Sequence, residues 1–132
     1  MTGYIANIEE QTLANNNFRQ VLYTAKHSQL VLMSLLPGEE IGEEVHELDQ
    51  FFRVEAGEGK AVLDGVETLI SDGSAIVVPQ GALHNIINTS TDKALKLYTI
   101  YSPPNHLDKI VHATKAEGEA DTTDIYDGQT TE

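Results

Sequence analysis

The stretch "GEEVHELDQFFRVEAGEG", residues 42–59, decides how this chain folds. Glu44 and His46 stand two residues apart, so on an extended chain their side chains point to one face. Gln50, Phe52 and Val54 share a face in the same way, and Gly57 and Gly59 mark the end of the run. Downstream, "KAVLDGVETLI" carries Asp64-Gly65, the strongest short signal for a hairpin. Upstream, "RQVLYTAKHSQLVLMSLLPGEEIG" reads as two short strands split by "KHSQ". "AIVVPQG", "HNIINTS" and "ALKLYTIY" continue the pattern. Short runs rich in Val, Ile, Leu, Tyr and Phe, separated by Gly, Asp, Asn and Pro, are strand signals. No long helical period appears between residues 20 and 101, so the chain reads as a sandwich or barrel.

The length of 132 residues suits one domain. With 40% hydrophobic residues the chain can fill one core. It has no cysteine, which removes disulfides, thiolate metal sites and thiol nucleophiles. Any metal must therefore be held by nitrogen and oxygen. Eight basic residues stand against 21 acidic ones, a net charge of -13, which argues against nucleic acid and anionic membranes as partners. The start, "MTGYIANIEE", has neither a basic region nor an apolar run, and no apolar stretch approaches the length of a membrane span. A cytoplasmic location is the expectation.

The ends differ from the middle. Residues 1–19 are expected to form a polar arm with at most one helical turn, and residues 20–104 the β domain. Residues 105–132 form an acidic extension whose last dozen residues look disordered, with a short helix around 113–120. His27 and His112 read as surface groups, and His106, just beyond the last strand, as part of a solvent-exposed turn, with closure over the barrel mouth as the alternative. Tyr98 and Tyr101 fall on opposite faces of the last strand, and one of them could project into the barrel.

Two stretches belong together. From Gly38 the spacing runs five residues to Glu44, one to His46, three to Gln50 and six to Gly57. From Gly73 it runs five to Pro79, one to Gly81, two to His84 and three to Asn88. This resembles the paired signature of the cupin family, G-x5-H-x-H-x3,4-E-x6-G followed by G-x5-P-x-G-x2-H-x3-N, over roughly residues 29–101. Eight of the ten landmark positions carry the expected residue. The resemblance implies an all-β double-stranded β-helix, or jelly-roll barrel, of the small single-domain kind often grouped as mannose-6-phosphate isomerase-like. It also implies one divalent metal (Mn, Fe, Ni or Zn) held at Glu44, His46, Gln50 and His84, and a homodimer.

Two of those positions depart from the family pattern. Glu44 stands where the first histidine is expected, and Gln50 where the glutamate is expected. Two histidines and a carboxylate can still hold non-haem iron with positions left open. Two histidines in a barrel can also be satisfied by each other, by Glu44 or by water. Catalysis would fall to Glu44, with Tyr98 as a second candidate for moving a proton. The family implies an isomerase-like or dioxygenase-like enzyme acting on a small carbonyl or sugar-like molecule. A non-catalytic module that binds a small molecule or sugar is the alternative. No P-loop or dinucleotide fingerprint is present.

Overall fold

The apolar runs become strands, and the Gly and Asp positions become turns. In the computed structural model, which describes residues 1–132, helix α1 (Ile8–Ala14) leads into β1 (Arg19–Thr24) and β2 (Gln29–Leu35). Then come β3 (Asp49–Ala56), β4 (Glu58–Leu63), β5 (Val66–Ser71), β6 (Ala75–Val78), β7 (His84–Asn88) and β8 (Leu95–Ser102). A two-residue strand β9 (Val111–His112) and helix α2 (Lys115–Ala120) complete the chain. Six strands form one sheet in the order β6-β3-β8-β2-β1-β9, and three form the other in the order β5-β4-β7. All the ladders are antiparallel. The two sheets face each other as the expected jelly roll. No helix is long and apolar enough to cross a membrane.

Alternation along β8 defines the interior. Leu95, Leu97, Thr99 and Tyr101 are buried, whereas Lys96, Tyr98 and Ile100 face outward and are only half-buried. Register then stacks the interior in rows. Leu97 lies between Met33 and Val54, Thr99 between Val31 and Phe52, and Tyr101 between Gln29 and Gln50. The barrel is thus apolar at one end and polar at the other. Fully burying one such aliphatic or aromatic side chain is worth roughly 1.5–3 kcal/mol. The apolar rows supply that anchorage, which allows the polar row to be buried beside them. Gly59 sits where the backbones of β4 and β7 approach most closely. A Cβ there would lie 2.3 Å from the Ile87 carbonyl oxygen, so no side chain fits.

The ends are more structured than their composition suggests. Helix α1 has seven residues, beyond the single turn expected. The Asn7 side chain caps it by accepting from the Glu10 N–H at 3.0 Å, and Glu9 and Glu10 favour its N-terminus. His112, expected at the surface, is buried. Arg19 Nη1 donates to its Nδ1 at 3.1 Å, and its Nε2 donates to Asp121 Oδ2 at 2.9 Å. His27 is exposed, as expected.

The last dozen residues, whose composition points to disorder, lie against the barrel. The Tyr126 N–H donates to the Asn105 carbonyl, the Thr131 N–H donates to Thr24, and Glu132 bonds Tyr23. Composition misses this because the tail is held by hydrogen bonds rather than by apolar burial, and Ile125 stays exposed.

The Asp121 carboxyl is pulled down to about 2, first by the His112 hydrogen bond and then by Thr123. An unfolded aspartate titrates near about 3.9. Its folded value is depressed, so its stabilisation is complete above that unfolded value and is lost as pH falls toward 2. Thermal melts of the parent and Asp121→Asn should therefore differ by a constant amount from neutrality down to about pH 5. The difference should shrink steadily between about pH 4 and 2.

Candidate metal centre

One pair of backbone bonds brings the two motifs together. Residues 40–44 run extended along the free edge of β7. The Glu44 N–H donates to the His84 carbonyl and the His84 N–H to the Glu44 carbonyl, both at 2.9 Å. The turn entering β7 is tied to the same segment. The Gly81 N–H donates to the His46 carbonyl at 3.0 Å, and the Gln80 N–H donates to Asp49 Oδ1 at 2.9 Å. Gly81 has φ +87°, a conformation that favours glycine, so the turn depends on this residue.

Glu44, His46 and His84 form the cluster. Each offers one ligand atom, and these atoms lie within 4.8 Å of one another. Two ligands at about 2.1 Å from a shared ion sit about 3–4 Å apart, so only small side-chain shifts are needed. His46 Nε2 is 2.9 Å from Glu44 Oε2, and His84 Nε2 is 4.0 Å from the same oxygen. The His46 and His84 ring centroids are 5.2 Å apart. Burial works against the Glu44 charge. Only together do the His46 hydrogen bond and the charges of His46, Arg19 and His84 outweigh it and hold the carboxyl below its usual value.

The donor set suits a divalent cation. His84 Nδ1 donates to the Ala82 carbonyl at 3.0 Å, which fixes the tautomer with a lone pair on Nε2. That Nε2 is buried and has no hydrogen-bond partner. Gln50 is buried on the neighbouring strand. Its Nε2 donates to Thr99 Oγ1 at 2.9 Å, and its Oε1 is buried without a partner. Buried acceptors left unpaired are costly, and a cation at the cluster would satisfy the His84 nitrogen. The cluster opens to solvent on one side, where the Glu44 and His46 side chains are 34% and 17% exposed.

A groove of about 340 Å³ also touches His84, but Leu83, Asn85 and Ile87 line it. These residues alternate with the inward-facing His84, Ile86 and Asn88, so the groove lies across β7 from the cluster.

Of the residues singled out in the sequence, Glu44, His46 and His84 converge. Gln50 is inward-facing in the row beside Tyr101. Tyr98 does not join them. It lies on the outer face of β8, with its ring 6.2 Å from Phe51, because the period of two puts Thr99 and Tyr101 inside instead. Tyr101 is the tyrosine at the site. Its ring packs edge-on to His46 at 6.0 Å, and burial pushes its phenol far above the usual range.

Sequence reasoning placed His106 in a solvent-exposed turn, whereas it is buried beneath Tyr101. Gln29 holds it there, with Oε1 accepting the Asn105 and His106 N–H groups and Nε2 donating to the His106 carbonyl. Leu95 and Leu97 share the Tyr101 face, but Ile100 shares the Tyr98 face, so alternation alone leaves the two tyrosines open. Nothing local marks Gln29 or His106.

A family model described as a cupin domain matches residues 31–101. The chain is 47% identical over 124 residues to the uncharacterized protein YrkC of Bacillus subtilis (strain 168), which covers 89% of this chain and 66% of that protein. It is 45% identical over 107 residues to the uncharacterized protein L612 of Acanthamoeba polyphaga mimivirus, covering 78% of this chain and 67% of that one. The chain thus spans about two thirds of each curated relative. The crystal structure of BH2720 from Bacillus halodurans superimposes with a TM-score of 0.86 at 43% identity, covering 89% of this chain and 93% of that one.

Metal bound at this cluster must compete with protons for imidazole nitrogen, whose reference pKa is about 6.5. Metal content measured after dialysis at stepwise lower pH should be steady near neutrality and fall below about pH 6, or somewhat lower if binding is tight. Content that stays constant down to about pH 4 would exclude histidine ligation.

Proposed function

Because the chain belongs to the cupin family, we propose that it holds one divalent metal ion through Glu44, His46 and His84, with Gln50 as a fourth donor. On this reading it is an enzyme acting on a small carbonyl or sugar-like molecule, as an isomerase or a dioxygenase. The single observation that carries the proposal is the unpartnered, buried Nε2 of His84, aimed at the Glu44 carboxylate 4.0 Å away. A bound divalent ion would supply Lewis acidity toward a substrate oxygen.

The chain's own residues divide the remaining work. His46 and His84 orient the site, since one ring is fixed by Glu44 and the other by the Ala82 carbonyl. The Glu44 carboxylate stays ionised and one-third exposed, so it can accept a proton from a substrate hydroxyl or from a carbon beside a carbonyl. Tyr101 cannot serve as a base, because burial keeps its phenol protonated. The net charge of -13 repels anions, so a neutral substrate fits better than a phosphosugar.

A non-catalytic binding module is the second reading. The neutral amide of Gln50 favours it, since this position carries no formal charge to hold a reactive metal tightly.

Metal analysis of four purified variants in one buffer tests the metal reading. His84→Ala should abolish metal binding and Glu44→Ala should weaken it. Glu44→His should retain metal, and Gln50→Glu should bind more tightly than the parent. Removing one ligand from such a site costs on the order of tenfold or more in affinity. Equal metal content in all four would overturn the metal reading.

We also propose a homodimer. Exposed Val66, Leu69 and Val77 lie on or beside the free strands β5 and β6, where a second copy would cover them. Light scattering that gives a monomer throughout the micromolar range would rule this out.

A further inference from the structure

In a jelly roll the inner face of each sheet has to be apolar, whereas the outer face is free to be polar. The outer face of the large sheet departs from that pattern. Its ladders set Val77, Phe51, Ile100, Leu30 and Tyr23 side by side, from β6 to β1. They make an unbroken apolar row across the strands β6-β3-β8-β2-β1. Val77 is 66% exposed, and the other four are half-buried. In the neighbouring row Arg53, Tyr98, Leu32 and Gln20 lie in register.

Charge decides what can cover such a face. Copies of a chain with 21 acidic and 8 basic residues repel one another, so a contact between them must avoid carboxylates. The outer face of the small sheet does not allow it. The groove there is lined by Glu40, Glu43 and Glu67, and a two-fold contact would bring those three carboxylates from each copy together. On the large sheet neither row holds a carboxylate. Arg53 is the one charged residue in them, and Glu55 pairs with it at 3.2 Å. Glu132 accepts from the Tyr23 hydroxyl at the end of the first row.

At that Tyr23 end the row runs into a groove of about 240 Å³, whose walls include Tyr4, Tyr23, Leu30 and Ile100. The Tyr4 and Tyr23 rings are 6.1 Å apart. The residue after Tyr4, Ile5, is not part of the wall and stands 95% exposed. An apolar plug next to an apolar groove on one chain suits a two-fold axis, because each copy's plug then fills the other's groove. A different protein would have to bring both a plug and a groove of its own.

We propose that the row from Val77 to Tyr23 binds the same face of a second copy, with Ile5 of each copy seated in the Tyr4–Tyr23 groove of the other. This rests on the homodimer reading above and gives it a surface: the contact begins at Val77 and runs away from β5 across the large sheet.

Sedimentation equilibrium over a dilution series measures the dimer dissociation constant of the parent and of each variant. Ile5→Glu should raise it at least about tenfold, the scale of losing one buried apolar contact at an interface. Ile100→Glu, in the middle of the row, should raise it as much or more. Leu69→Glu, 84% exposed on β5, should change it less than about threefold, as isolated surface substitutions do. Because Ile5 is exposed, Ile5→Glu should leave the melting temperature of the monomer unchanged, which separates a lost contact from a lost fold. The chain has no cysteine, so introduced ones are unique. Ser28 lines the groove. Ile5→Cys chains mixed with Ser28→Cys chains should therefore form a disulfide between copies faster than either chain alone.

A parent that stays monomeric overturns this inference and the homodimer reading together. A dimer that Leu69→Glu breaks and that Ile5→Glu and Ile100→Glu leave intact overturns this inference alone. Equal weakening by all three substitutions would report general charge repulsion and overturn it too. So would cross-linking no faster in the mixture than in either chain alone.

Discussion

The reciprocal pair of backbone hydrogen bonds between Glu44 and His84 is the constraint on which the site depends. It joins two segments forty residues apart in the chain and fixes their relative height along the barrel. Because the pair is antiparallel and in register, both side chains lean to the same face. His46 comes two residues later and lands on that face as well. No side-chain interaction is needed to assemble the three. The hydrogen bonds from Gly81 and Gln80 back to the 46–49 segment reinforce the same closure.

The polar end of the barrel is stable because the rows beneath it are not polar. Val31, Phe52, Leu97 and Val54 are almost wholly buried. Their burial anchors β2, β3 and β8 in a register that a one-residue slip would invert. On that rigid base the row Gln29–Tyr101–Gln50 carries amide and hydroxyl groups into the interior. Gln29 has all its main groups satisfied and serves as scaffold for the His106 loop. Gln50 on the other flank of Tyr101 has one oxygen left open.

The charge pattern around the site is coherent with this division. Glu44 and Asp124 are both held below the usual carboxylate range in spite of burial, each by a histidine beside it. Arg19, itself buried, lowers both. A chain with so large an acidic excess therefore keeps two partly buried carboxylates ionised by placing its few cations and imidazoles next to them.

The sequence by itself determined the β architecture and three members of the cluster. Period-two alternation and glycine turns are local properties of the chain. The spacing of Glu44, His46 and His84 within the two motifs reflects how many residues a strand and a turn require. Tyr98 shows where this reading fails: two tyrosines on opposite faces are equivalent until a sheet supplies an inside. Only the tertiary structure decided that Tyr101 faces the site, that Gln50 leaves an oxygen unpaired, and that His106 and Asp124 meet beneath it. Those facts depend on contacts between residues far apart in sequence, formed by hydrogen bonds whose donors and acceptors carry no periodic signature. The acidic tail looked too polar to order because apolar content reports burial. Its order comes instead from donors and acceptors matched one by one to partners outside the tail.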